Sequence, residues 1–265
     1  MNTIAYGKRS FTLPAHWAEV PTLFAGKRLW RVEMAACLLR RAPEQGALRL
    51  LLLYACLPWW GYFIVRGLTG EQVVDLTQWA VAEKVVISTQ RIRVGGRTWG
   101  LPRLDFANMN MLEWDLAHRA LVAAKGTELG MIHFAAHLIR PLRKRAELRA
   151  LDFAGDERVG FNGFFTEQYA KQLRGLPAGA IAALVEVFCQ GHADLVARHP
   201  RLFTKKGSGA APLEIINMVA RDGNFGTFEQ VCKQPVEVVL LDMGQHLKAL
   251  EAEAKARKEA EKRGR

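Results

Sequence analysis

His133 and His137, in the stretch MIHFAAHLIR, are the pair whose type and spacing best suit a metal ion. On a helix, positions i and i+4 point to one side, as ligating histidines do in HExxH enzymes, where the residue after the first histidine is the general base. Here that residue is Phe134, and no third ligand stands nearby in the sequence. The spacing therefore favours two histidines packed on an amphipathic helix, and no cofactor is expected. Asp115 and His118 form a second pair, at an i,i+3 spacing common on structural helices. The chain shows no nucleophile elbow, no GxGxxG after a strand and no paired-carboxylate motif. The local sequence leans away from an enzyme without excluding one.

A second group is cationic. RPLRKRAELRA sets Arg140, Arg143, Lys144, Arg145 and Arg149 against Glu147. On a helix, Arg145 and Arg149 would align to follow a phosphate backbone, giving salt-sensitive, non-specific contact with nucleic acid. The alternative is a solvated helix face, since no helix-turn-helix, RNA-binding or zinc-finger signature accompanies the run. A third group is KKGSGAAP, from Lys205 to Pro212. A phosphate loop of the GxxxxGK[ST] type needs its lysine after the last glycine, and here the lysines come first. The cluster instead reads as a joint before a helix started by Pro212. DGNFG reads as the close of that helix at Gly223 or Asn224, and Thr227 with Gln230 as a capping box for the next.

Composition bounds the partners. The 265 residues are half hydrophobic, enough for a sizeable core, and 37 Lys plus Arg against 26 Asp plus Glu leave a formal charge of +11. Such a balance favours acidic partners: nucleic acid, anionic lipid or an acidic protein face. Cys37, Cys56, Cys189 and Cys232 stand far apart without a CxxC pair, as reduced core residues of a cytoplasmic protein do. MNTIAYGKRSFTLPAHW lacks the apolar core of a signal peptide. The uncharged run from Leu50 to Val65 is shorter than the about 20 residues of a membrane span. With Pro58 and Gly61 inside it, the run reads as a buried helical hairpin, with interfacial attachment through Trp59 and Trp60 as the alternative.

The elements that must position these groups are mostly helical. RSFTLP reads as a short strand, and IRV (Ile92 to Val94) and RTW (Arg97 to Trp99), joined by Gly95-Gly96, as a β-hairpin. Val85 to Ile87 is also β-prone. Helices are expected in AHWAEV and over 22–41, after a Thr69–Gln72 capping box, over 109–124 and 128–138, and after Pro235, while in the arginine-rich run, whose pattern is helical, Pro141 starts or breaks a helix. Val236, Leu240, Met243, Leu247, Leu250 and Ala254 form a stripe that fades into alanine and charge, so the early part should dock and the rest project. Met243, Leu247 and Leu250, with Trp59 and Trp60, are the candidate partner contacts, and self-association is a further option. The expected organisation is an N-terminal helical region with a small β-hairpin (1–151), a linker (152–163), a C-terminal helical region (164–250) and a charged helical tail (251–265). The fold class is mainly α with a small β-hairpin element, and the C-terminal helix projects.

HPRLFTKKGSG, an apolar helix, and then DGNFGTFEQVCKQPVEVVLLDM together resemble the C-terminal part of a group of phage and prophage proteins from Bacteroidetes-type genomes. YGKRSFTLPAHWAEV near the start, and FNGFFTEQYAKQL before an LVEVFC-type helix, are similar to that group as well. Members resemble tail assembly chaperones, which bind the tape-measure protein before the tail tube polymerises around it. The resemblance implies a cytoplasmic role in the bacterial host, with a phage tail protein such as the tape measure as partner, and it supplies no catalytic motif. A nucleic-acid-associated phage or mobile-element factor using residues 140–149 is the alternative, and a membrane-surface protein a third.

Overall fold

The computed structural model describes residues 2–6, 9–58, 61–82, 87–103, 105–144, 147–149, 156–203 and 212–263. It is mainly helical, with small antiparallel β elements and a long last helix. The chain divides into two compact units, and neither is continuous: the first is 1–104 with 172–190, the second 105–171 with 191–265.

The first unit opens with β1 (Asn2–Tyr6) and β2 (Arg9–Leu13), paired antiparallel with Ile4 opposite Phe11. AHWAEV makes only a 3-10 turn at Trp17–Glu19 before α1 (Val20–Leu23), and α2 (Gly26–Arg41) follows. Next come α3 (Gly46–Cys56), α4 (Tyr62–Val65), α5 (Gly70–Thr77) and α6 (Trp79–Ala82). The Thr69 hydroxyl accepts from Gln72 N–H while Gln72 Oε1 accepts from Thr69 N–H, so α5 begins with the expected capping box. β3 (Arg91–Val94) and β4 (Arg97–Gly100) form the expected hairpin. Its turn needs two left-handed residues, and Gly95 and Gly96 have φ of +55° and +78°. Trp17, Val20, Val32, Leu39, Leu52, Leu53 and Trp79 build the core, joined by Ala182 and Ala183.

The Leu50–Val65 run is a helical pair, but only partly buried. Leu52, Leu53, Ile64 and Val65 enter the core, whereas Leu50, Leu51, Tyr54, Tyr62 and Phe63 remain exposed. Trp59 and Trp60 lie outside the described residues, as do Val85 and Val86 of the β-prone stretch.

In the second unit, α7 (Met111–Ala124) and α8 (Glu128–Leu138) start at Asn110 and Thr127, whose side chains accept from Glu113 N–H and Gly130 N–H. β5 (Arg140–Pro141) follows, then α9 (Thr166–Gln172) and α10 (Ala178–Arg198), the last shared between the units. α11 (Pro212–Asp222), α12 (Phe228–Lys233) and α13 (Val236–Arg263) complete it. Gly223, at φ +78°, closes α11, and Thr227 N–H donates to Gln230 Oε1 at 2.7 Å, as the joint reading expects. The KKGSG cluster lies outside the described residues. Val236, Leu240 and Met243 are buried while Leu250 is exposed, so α13 docks by its first turns.

Residues 156–163, the described part of the expected linker, belong to the second unit and are bonded into it: Val159 N–H donates to Pro141 O and Arg143 N–H to Glu157 O. This pairing corrects the helical pattern of the arginine-rich run: its first residues, Arg140–Pro141, are extended, and among the described residues of the run Glu147–Arg149 makes a 3-10 turn and none an α-helix. Among the described residues one helix, Ala178–Arg198, is long and apolar enough to cross a membrane by length and composition. Half of its most apolar window is buried inside the fold, as in a core helix.

Candidate functional site

Glu113 stands on the inner face of α7 beside Met111, Trp114 and Ala117, and is fully buried. A carboxylate there survives only if its charge is matched. Both of its oxygens are: Oε2 accepts from Arg140 Nη2 and Oε1 from Arg158 Nη1, each at 2.9 Å. Asp156 bridges the same arginines at 3.0 Å. Arg158 also donates to the carbonyls of Leu138 and Asn108, and Arg140 to that of Val159. Burial pushes the Arg158 guanidinium down, but Glu113 and Asp156 outweigh it and the net shift is upward. For Arg140 burial dominates and the net shift is downward.

This network pins 156–162 against α7 and α8 and so places the loop that follows. Arg140 lies over the Phe161 ring at 5.9 Å, and Asn162 Oδ1 accepts from Phe164 N–H at 3.1 Å, fixing the turn at Gly163–Phe165. On another side, Met111 N–H donates to Gln234 O and Val236 N–H to Met109 O, tying the α12–α13 junction to the start of α7.

Between these walls lies a cleft of about 690 Å³. α7 lines it with Leu112 and Leu116, the loop with Phe161 and Phe164, and α12 with Phe228 and Cys232. Phe164 is 95% exposed and Phe228 40%, so the cleft opens to solvent under an aromatic rim. Its polar groups are few: Asn110, Asn162, Glu229, Lys233 and His137. His137 Nδ1 is 3.5 Å from the Thr166 hydroxyl. Burial, with the positive potential of His133 and Arg119, pushes its pKa down to about 4, so the ring is neutral near pH 7. Burial pushes the Cys232 thiol up, and the other cysteines likewise, Cys56 to about 12. The arrangement is suited to holding an apolar group.

The sequence candidates are dispersed. Among the described residues no group of three or more His, Cys, Asp or Glu side chains could hold a metal ion, and His133 and His137 share α8 without a third ligand. Arg140 is a correction: only 3% exposed and bound to two carboxylates, it cannot present its charge to a phosphate. Arg143 Nε is bonded to Arg158 O, Arg149 ends a 3-10 turn, and Arg145 lies outside the described residues. Lys144 carries the backbone N–H that faces Glu147. Met243 is a second correction, since it packs in the core, whereas Leu247 is half-buried and Leu250 exposed. Sequence reasoning missed Glu113, Asp156, Arg158 and the cleft phenylalanines. The signals were a carboxylate inside the apolar stripe of α7 and the FNGFF run, where adjacent aromatics break any helical or strand period.

Comparison of the chain with protein-family models, with curated proteins and with solved structures returned no match.

Proposed function

We propose that this chain is a binding protein that seats an apolar segment of a partner protein in the cleft of its second unit. The observation that carries the reading is the open apolar cleft itself, with Phe164 almost wholly exposed at its rim. A phenylalanine left in water gains on the order of 2 kcal/mol when covered, and aromatic anchors dominate most protein interfaces. An open rim suits a length of helix or extended chain better than an enclosed small molecule.

The resemblance to phage and prophage proteins gives the partner: the tape-measure protein, held in the cytoplasm of the bacterial host before the tail tube grows around it. The long α13, docked by its first turns and exposed at Leu250, provides a further surface to the same partner or a second copy.

Co-expression with a tagged tape-measure protein tests the reading. The full chain should co-purify with the tag, and Phe164→Ala with Phe228→Ala should weaken capture by about tenfold or more. Capture that is unchanged by both substitutions, or no capture at all, would remove the cleft or the partner respectively.

A further inference from the structure

Helix α3 carries apolar residues on the side turned to solvent. Ala47, Leu50, Leu51 and Tyr54 fall at i, i+3, i+4 and i+7 and all four are exposed, while Leu52, Leu53 and Cys56 fill the core from the other side. The face continues onto α4, where the Tyr62 ring stacks on Tyr54 at 6.1 Å and meets Phe63 at 5.9 Å. Phe63 is 60% exposed and Leu51 45%. Two exposed arginines border the aromatic end: Arg66 lies over the Tyr62 ring at 5.4 Å, and Arg28 donates to Cys56 O and lies over the Phe24 ring at 5.1 Å. Among the described residues their partners are rings and a carbonyl, and no carboxylate pairs with either.

We propose that this face is a docking surface for an anionic lipid bilayer. Leucine and phenylalanine suit the acyl boundary, and tyrosine the headgroup level, where its ring and hydroxyl meet different media. Arginines at the border reach lipid phosphates through their long stems while their apolar parts cover the rings. Charge selects among the occupants. A second copy would bring a net charge of +11 up to another of +11, whereas an anionic surface attracts that charge and the two arginines at the border. α5, packed beside α3, adds exposed Val74 but also Glu71 and Asp75, so the Tyr62–Arg66 end leads the approach. The inference is independent of the cleft, which lies in the other unit.

Sedimentation of the full chain with vesicles tests it. Binding to vesicles of equal parts phosphatidylcholine and phosphatidylglycerol should exceed binding to phosphatidylcholine alone, and should fall with salt. Leu51→Ser with Phe63→Ser leaves the charge unchanged and should lower the partition by about tenfold, with the circular dichroism melt preserved. Arg66→Gln should reduce only the phosphatidylglycerol-dependent part. Equal partition of the double variant and the parent would reduce the effect to general basic charge and overturn the proposal. Failure to sediment with anionic vesicles overturns it as well. If a concentration-dependent dimer is then lost in the double variant, the face belongs to a second copy; if an acidic protein is lost instead, it belongs to that partner.

Discussion

Glu113 and Arg158 form an ion pair at 2.9 Å between groups with side-chain exposures of 0% and 2%, across 45 residues of chain. Removing one partner of such a pair leaves an uncompensated buried charge, at a cost of about 3–5 kcal/mol. Arg158→Met and Glu113→Gln should therefore each lower the melting temperature by on the order of 10 °C. Arg198→Ala, which breaks the exposed Arg198–Glu237 pair, should cost about 1 kcal/mol or less. Thermal melts of the three variants decide it, and equal effects would show that the buried network does not hold the loop.

His137 makes stability depend on pH. Its pKa is lowered from 6.5 to about 4 in the fold, so between these values the unfolded chain binds more protons than the folded one. Stability should be full above pH 6.5 and decline as pH falls towards 4, by at most about 3 kcal/mol from this group. His192, also lowered by burial, adds in the same direction. Urea titrations across this range should give a shallower acid slope for His137→Gln than for the parent, and identical slopes would deny the group its role.

The end of α13 should be dispensable for folding. Deleting residues 251–265 removes a stretch whose side chains at 251–257 and 259 are exposed, among them Glu251, which pairs with Arg201 at 3.5 Å between largely exposed groups. A shift below about 1 kcal/mol is expected in a denaturant melt. Leu240→Asp, at a fully buried position, should unfold or aggregate the chain. A truncation that collapses the fold would place the tail among the elements the core depends on.

Any nucleic-acid affinity of residues 140–149 should be weak, non-specific and strongly reduced by salt, because Arg140 is committed to Glu113 and Asp156. Lys144→Gln with Arg149→Gln should lower it for every sequence alike in a filter-binding series. Tight sequence-selective binding at physiological salt would promote a nucleic-acid function over the protein-binding one.

What was legible in the sequence was local. The Thr69–Gln72 box, the Gly95–Gly96 turn and the bounds of α8 each depend on residues a few positions apart, whose chemistry acts without distant partners. The arginine-rich run misled because Arg140 and Arg158 answer to Glu113, 27 and 45 residues away, and the extended backbone there follows from that bonding. The cleft was out of reach for the same reason: its walls come from 110–116, 137, 161–164 and 228–233. The outer face of α3 was misjudged differently. Its apolar composition predicts burial, but composition alone does not say which side of a helix meets water.

The sharing of α10 between the two units has a consequence for the order of synthesis. Ala182 and Ala183 belong to the core of the first unit, and Gly179 lies so close to α2 that a Cβ there would meet Met34 Cβ at 2.9 Å. A nascent chain released as far as Leu104 thus lacks a wall of its first core until the whole of 105–171 has followed. At about 5–20 residues per second that interval lasts several seconds. Throughout it, the inner faces of α2 and α3 stand open at the ribosome, a window in which the growing chain itself is a client for a holdase.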